Sequence, residues 1–238
     1  MDWDYTLPRD MDADYVYGGL WYTTEELNAF AQQSPKYIPF PEFSESSLSS
    51  YHREWADTSD TELTMRPFHK TSASLYGRGV EAMFTDYVKE SPLASFTMTP
   101  AGKYDDHIHR TDFFLKRSSL CVPIDIKALK SVRDHRRQNK YFWVELHKNG
   151  FLFSPQSRST LLIVEVNQEK TDKFIILDKS ALKTLVQEKF EPSLKLPPVM
   201  AAPQALERAY RRKGERQEWL GFLDFQDCVK KCAVSIIF

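Results

Sequence analysis

The sequence predicts an α/β domain in which a central mixed β-sheet is flanked by helices, preceded by an irregular N-terminal extension. Three observations predict it. GRGVEAMFTDYVKE carries apolar residues at helical spacing. Short β-branched and aromatic stretches then follow one another: TDFFL, CVPIDIKAL, QNKYFWVEL, GFLF, STLLIVEV and KFIILD. SALKTLVQEKF returns to helical spacing. A helix, a run of strands and further helices is the order of a layered α/β or α+β domain. The length of 238 residues is ample for a full core, and 42% hydrophobic with 27% charged residues is ordinary for a globular chain.

Taken in order, Thr23 and Glu26 are spaced as a capping box that opens a short helix, EELNAFAQQ. From Ser34 to about Ser72 the prolines Pro35, Pro39 and Pro41 precede SESSLSS and no period survives. This predicts an extended connector laid on the body through Tyr37, Phe40 and Phe43. The next helix places Val80, Phe84, Tyr87 and Val88 on one face, with Glu81 one residue beyond Val80, and Pro92 stops it. TDFFL and CVPIDIKAL, separated by KRSSL, read as an antiparallel hairpin. SALKTLVQEKF reads as a helix capped by Asp178 or Ser180, QALERAYRRK as a basic helix ended by Gly214, and WLGFLDF and CAVSIIF as edge strands. The expected division is an acidic, aromatic extension and linker over residues 1–72 and a folded domain over 73–238.

Composition excludes several classes. The apolar runs are far short of a membrane span, and the opening MDWDYT lacks the basic-then-apolar order of a secretory signal. Cys121, Cys228 and Cys232 make no even disulfide framework, which predicts an intracellular, reducing setting, cytoplasmic or nuclear. No GxxxxGK[ST], GxGxxG or GxSxG stretch occurs, which argues against nucleotide-driven motors, Rossmann enzymes and α/β-hydrolases. The net charge of −1 hides an asymmetry. Residues 1–65 hold 13 Asp+Glu against Arg9, Lys36 and Arg53, a balance of −10, which leaves +9 for the rest. Such a split points to a polyanionic partner for the basic part.

The stretch from Asp112 to Lys127 carries the chemistry. Residues two apart on a strand face one side, so Asp125 and Lys127 project together while Ile124 and Ile126 point into the core. A hairpin loop from Arg117 to Leu120 sets Asp112 opposite Asp125. Acids on a sheet face need neutralising, and a hard divalent cation does so. Bound there it would polarise a phosphodiester and acidify a water, with Lys127 orienting that water or offsetting the developing charge. Glu81 would complete the patch as a third carboxylate. The plain alternative is a salt-bridged strand face. Asp125-Ile126-Lys127 is the chain's single Lys with an acid two residues before it.

These residues resemble the PD-(D/E)xK nuclease superfamily, the restriction-endonuclease-like fold. The match runs through helix Glu81, TDFF with Asp112, and PIDIK with Asp125 and Lys127, with Thr111 where the name-giving motif has Pro. YFWVELHKNGFLF, STLLIVEV, KFIILDKSALKTLV and the YRRKG stretch (Tyr210 to Gly214) are similar to small nuclease-like proteins of phages and large DNA viruses. The resemblance spans residues 77 to 226. It implies a restriction-endonuclease-like core and a Mg²⁺-dependent deoxyribonuclease, with Mn²⁺ as substitute. Asp112 and Asp125 would be metal ligands, Glu81 an accessory ligand and Lys127 the catalytic lysine. Glu145 would either face the site or pair with His147 or a Lys.

Basic residues follow the patch: Lys130, Arg133, Arg136, Arg137 and Lys140, then Arg208, Arg211, Arg212 and Lys213. They would contact DNA phosphates, or else form a solvated loop and helix face. His107 and His109 share a face if the chain there is extended, a transition-metal spacing with Asp112 as third ligand. Cys228 and Cys232 would share a helix face as buried thiols rather than zinc ligands. The expected partner is DNA, with no membrane and a homodimer as the expected assembly where copies associate. The rival readings are a catalytically silent DNA- or protein-binding module of the same fold and an interaction protein whose acidic arm imitates DNA.

Overall fold

Two hydrophobic clusters, one on each face of a sheet, organise the chain. The computed structural model describes residues 15–17, 22–55, 72–128, 130–132, 141–146, 150–168, 171–195, 209–212 and 218–237. Its strands are β1 (Tyr15–Tyr17), β2 (Thr97–Pro100), β3 (Phe113–Arg117), β4 (Leu120–Ala128), β5 (Lys130–Val132), β6 (Tyr141–Glu145), β7 (Leu161–Gln168), β8 (Thr171–Asp178), β9 (Ala209–Arg212), β10 (Glu218–Asp224) and β11 (Ala233–Ile237). Its helices are α1 (Thr24–Ala31), α2 (Glu45–Leu48), α3 (Ser72–Glu90), α4 (Lys103–His107), α5 (Lys179–Lys195) and α6 (Phe225–Cys232).

Six strands form an open mixed sheet in the order β11-β8-β7-β4-β3-β2, antiparallel except for the β4–β7 pair. β7 is apolar at consecutive positions because both its faces are covered. Leu161 and Ile163 join Val80, Phe84 and Val88 of α3 and Ile124 and Ile126 of β4 on one side. Leu162, Val164 and Val166 join Leu182, Val186 and Phe190 of α5, Leu27 of α1 and Val229 of α6 on the other. The predicted α/β class with helices on both faces is therefore observed. Among the described residues no helix is long and apolar enough to cross a membrane.

The capping box is present: Thr23 Oγ1 accepts the Glu26 N–H at 3.2 Å and Glu26 Oε2 accepts the Thr23 N–H at 2.9 Å. Residues 34–55 contain α2 and two 3₁₀ turns, Phe40–Glu42 and Ser49–Tyr51. Each is a single turn, too short for a period to show in sequence. The segment docks on the body: Phe43, Leu48 and Tyr51 are buried beside α3, and the Ile38 N–H donates to Val234 O at 2.8 Å.

Several strand and helix expectations need correction. GFLF is not a strand: Gly150 opens a turn in which the Phe153 and Ser154 N–H groups return to the Gly150 carbonyl. YRR belongs to strand β9 rather than a basic helix, because antiparallel pairing with β10 (Tyr210↔Leu220, Arg211↔Trp219) overrides local helix propensity. WLGFLDF is not an edge. Its strand β10 is the middle of a second antiparallel sheet, β6-β10-β9. β11 does lie at the edge of the main sheet, and β1 pairs with β5.

Candidate functional site

The hairpin register is the one read from sequence. Arg117 pairs with Leu120 and Phe113 with Ile124, so Asp112, one residue before β3, falls opposite Asp125. Ser118 takes a left-handed φ of 50° in the turn, and Arg110 takes 52° where the chain swings from α4 into β3. Left-handed backbone is unusual for these residue types; at Arg110 it accompanies the turn that delivers Asp112 to the sheet. There the Asp112 N–H donates to Ile124 O at 2.9 Å, and Asp112 Oδ2 accepts the Ile126 N–H at 2.6 Å.

On β4, Ile124 and Ile126 enter the α3-side cluster, so Asp125 and Lys127 project to the α5 side. Asp125 is 1% exposed. Lys127 Nζ binds Asp125 Oδ1 and sits 5.5 Å from the centre of the Phe151 ring. Asp125 Oδ2 is buried without a hydrogen-bond partner. Burial first, and then the Asp125 charge, push the Asp112 carboxyl well above the usual range, against the opposing pull of Lys127. Glu81 is half-buried on α3. Burial raises its pKa, with Asp106 and Asp125 adding to the rise and Lys127 and Arg78 opposing it. Its side chain takes part in no ion pair among the described residues, although it feels Asp125 and Lys127 electrostatically. Asp112, Asp125 and Lys127 thus come together as predicted, with Glu81 within electrostatic reach.

Lys179, the first residue of α5, was not anticipated. It is buried, 4.0 Å from Asp125 Oδ2, and its ammonium donates to Ser157 Oγ at 2.7 Å and to Ser159 Oγ. Phe151 lies beneath it as well, 5.9 Å away. The usable signal in the sequence was a Lys at the start of a helix, where the macrodipole disfavours a cation. Burial, countered by Asp125, lowers its pKa from 10.5 to about 8. Below pH 8 both folded and unfolded chains hold this proton, and the cost is constant. Between pH 8 and 10.5 the unfolded chain binds more protons, so stability rises with pH. Chelator-treated wild type is therefore expected to gain about 2 kcal/mol relative to Lys179→Met from pH 8 to pH 10. Urea midpoints of the two proteins at both pH values measure it, and parallel pH curves would contradict the assignment.

The remaining candidates separate from this patch. His107 lies in α4 and His109 just beyond it, so the extended His-x-His arrangement is not formed. His109 Nδ1 meets Asp105 Oδ1 at 2.9 Å, whereas His107 Nε2 lies 3.7 Å from Asp106. Cys228 and Cys232 are buried free thiols on α6, their pKa values raised chiefly by burial, that of Cys232 to about 12. Glu145 ends β6 in the second sheet, paired with Leu220; its side chain is outside what is described. Lys130, Arg211 and Arg212 lie on described strands without described side chains, and Arg133, Arg136, Arg137, Lys140, Arg208 and Lys213 lie outside the described residues.

Two adjacent carboxylates, one with an orphaned buried oxygen, fit a hard divalent ion that takes oxygen ligands. Among the described residues no three Asp, Glu, His or Cys side chains are grouped as a ready ligand set. A small ion that keeps several waters and substrate oxygens needs only one or two protein carboxylates, and Asp112 with Asp125 meets that need. Comparison of the chain with protein families, curated proteins and solved structures found no match.

Proposed function

We propose that the chain is a metal-dependent deoxyribonuclease of the PD-(D/E)xK type, built on a restriction-endonuclease-like core. The observation that carries this reading is the meeting of Asp112 and Asp125 across one hairpin with Lys127 bound to Asp125. The order of parts supports it: helix α3, an antiparallel hairpin, then a strand parallel to β4. Asp112 and Asp125, with Glu81 as accessory, would hold Mg²⁺ or Mn²⁺, which supplies Lewis-acid activation of water and phosphate. Lys127 hydrogen-bonds the attacking water and offsets negative charge on the phosphate oxygens. The water oxygen forms the new P–O bond as the bond to the leaving oxygen breaks, the attacking water giving up its proton to solvent and the leaving oxygen taking one from solvent, with no covalent enzyme intermediate. Lys179, 4.0 Å from Asp125 Oδ2, adds a second positive charge beside the patch. Lys130, Arg133, Arg136, Arg137, Arg211, Arg212 and Lys213 would neutralise flanking phosphates. An intracellular setting goes with the free thiols.

A second reading, a silent binding module of the same architecture, is favoured by one observation. Asp125 is fully buried and already faces two ammonium groups, so its charge is balanced by the protein alone. Incubation of plasmid and linear DNA with Mg²⁺ or Mn²⁺ decides between them. Cutting that stops with chelator and in Asp125→Asn supports the nuclease. Metal-independent binding with no cutting in any variant supports the module.

A further inference from the structure

Beside the carboxylate patch stands a group of rings that hydrolysis of a phosphodiester does not itself require. Arg53 and His52 extend the pairing of β4 at its open start: the Arg53 N–H donates to Cys121 O at 2.9 Å, and the Cys121 N–H donates to His52 Nδ1 at 3.0 Å. Two residues later Trp55 lies against Phe114, ring centres 4.3 Å apart. Phe114 follows Asp112 by two residues, so it shares its face, roughly 7 Å along the chain. That is the scale of one nucleotide step.

Trp55 is held from two sides. His109 meets it edge-on at 5.6 Å, Tyr104 meets His109 edge-on at 5.1 Å, and Asp105 fixes the imidazole. The exposed guanidinium of Arg158 lies over the Trp55 ring at 5.4 Å. The Arg158 N–H donates to His109 O at 2.8 Å, tying that loop to the same turn. Among the described residues no carboxylate pairs with Arg158. An exposed guanidinium over a half-buried, fixed indole presents a positively charged cation–π pair at the surface.

We infer that the Trp55–Arg158 pair is a base-binding subsite for an unpaired DNA strand, placing the nucleotide next to the bond that water attacks at the carboxylate patch. Aromatic and guanidinium planes bind bases through their π-faces, which a base-paired duplex keeps stacked on its neighbours. The subsite would therefore favour a single-stranded or frayed substrate over intact duplex. The inference rests on the nuclease reading and specifies its substrate.

The test measures affinity for a labelled single-stranded oligonucleotide and its duplex, both in chelator, alongside cutting in Mg²⁺. Trp55→Ala is expected to weaken single-strand binding roughly tenfold, while duplex affinity stays within about twofold and Trp55→Phe retains most of the binding. Arg158→Lys, which keeps the charge and loses the plane, is expected to bind as poorly as Arg158→Ala. Unchanged single-strand affinity in Trp55→Ala overturns the inference, as does full binding in Arg158→Lys, which marks a bare phosphate contact; either leaves the nuclease reading intact while wild type cuts. A wild type that neither binds nor cuts overturns both. If Trp55→Ala does not fold, the two Arg158 variants decide.

Discussion

Replacing Lys127 by Ala is expected to lower Mg²⁺-dependent DNA cutting by a factor of about a hundred to a thousand while leaving DNA affinity in chelator nearly unchanged. The size follows from removing one preorganised donor at the point where charge develops. The fold should survive, because Lys127 is partly exposed and Asp125 keeps Lys179 4.0 Å away. Single-turnover rates and a thermal melt separate the two effects. Lys127→Arg, with a planar head of different reach, should restore little of the rate. Undiminished cutting in Lys127→Ala would remove the lysine from the chemistry.

The second large effect concerns the joint between α3 and the sheet. Phe84 is fully buried and meets Phe174 edge-on at 5.1 Å, with Ile124 and Ile163 in the same cluster. Phe84→Ala removes a large core side chain and should cost about 3–5 kcal/mol. For a chain of this size that is a fall in Tm of roughly 10 °C. Phe84→Leu should keep most of the stability. Because α3 also carries Glu81, residual cutting by folded Phe84→Ala should need more Mg²⁺ than wild type. Denaturant melts measure the stability, and a loss below about 1 kcal/mol would show that α3 is not anchored there.

Short-range patterns carried the readable part of the fold. The Thr23–Glu26 cap, the Val80–Phe84–Val88 stripe and the Arg117–Leu120 closure are all set within a few residues. The closure alone fixes Asp112 opposite Asp125, since a register in a tight hairpin follows from its turn. The parallel β4–β7 pairing was not legible in the same way, because its register depends on contacts across more than thirty residues.

What escaped the sequence reading was decided at long range. Lys179 reaches Asp125 from 54 residues away, and no local pattern names that partner. GFLF reads as a strand by composition, yet Phe151 is buried in a turn and lies under both Lys127 and Lys179. The strand over 209–212 depends on β10, which supplies backbone partners that a helix reading ignores. Trp55 sits in a stretch without periodicity, and only the attachment of Arg53 to β4 gives it a place beside Phe114. The His-x-His spacing misled for the opposite reason: a short helix, α4, rotates the two imidazoles to different acids.

The central claim is that Asp112 and Asp125 share one divalent cation. Titration of chelator-treated protein with Mn²⁺, followed by the loss of the free-ion electron paramagnetic resonance signal, tests it most directly. Wild type should take up one ion per chain, more tightly when DNA is present, and Asp125→Asn should lose that uptake. Equal uptake by both proteins, or none by either with DNA present, would contradict the account.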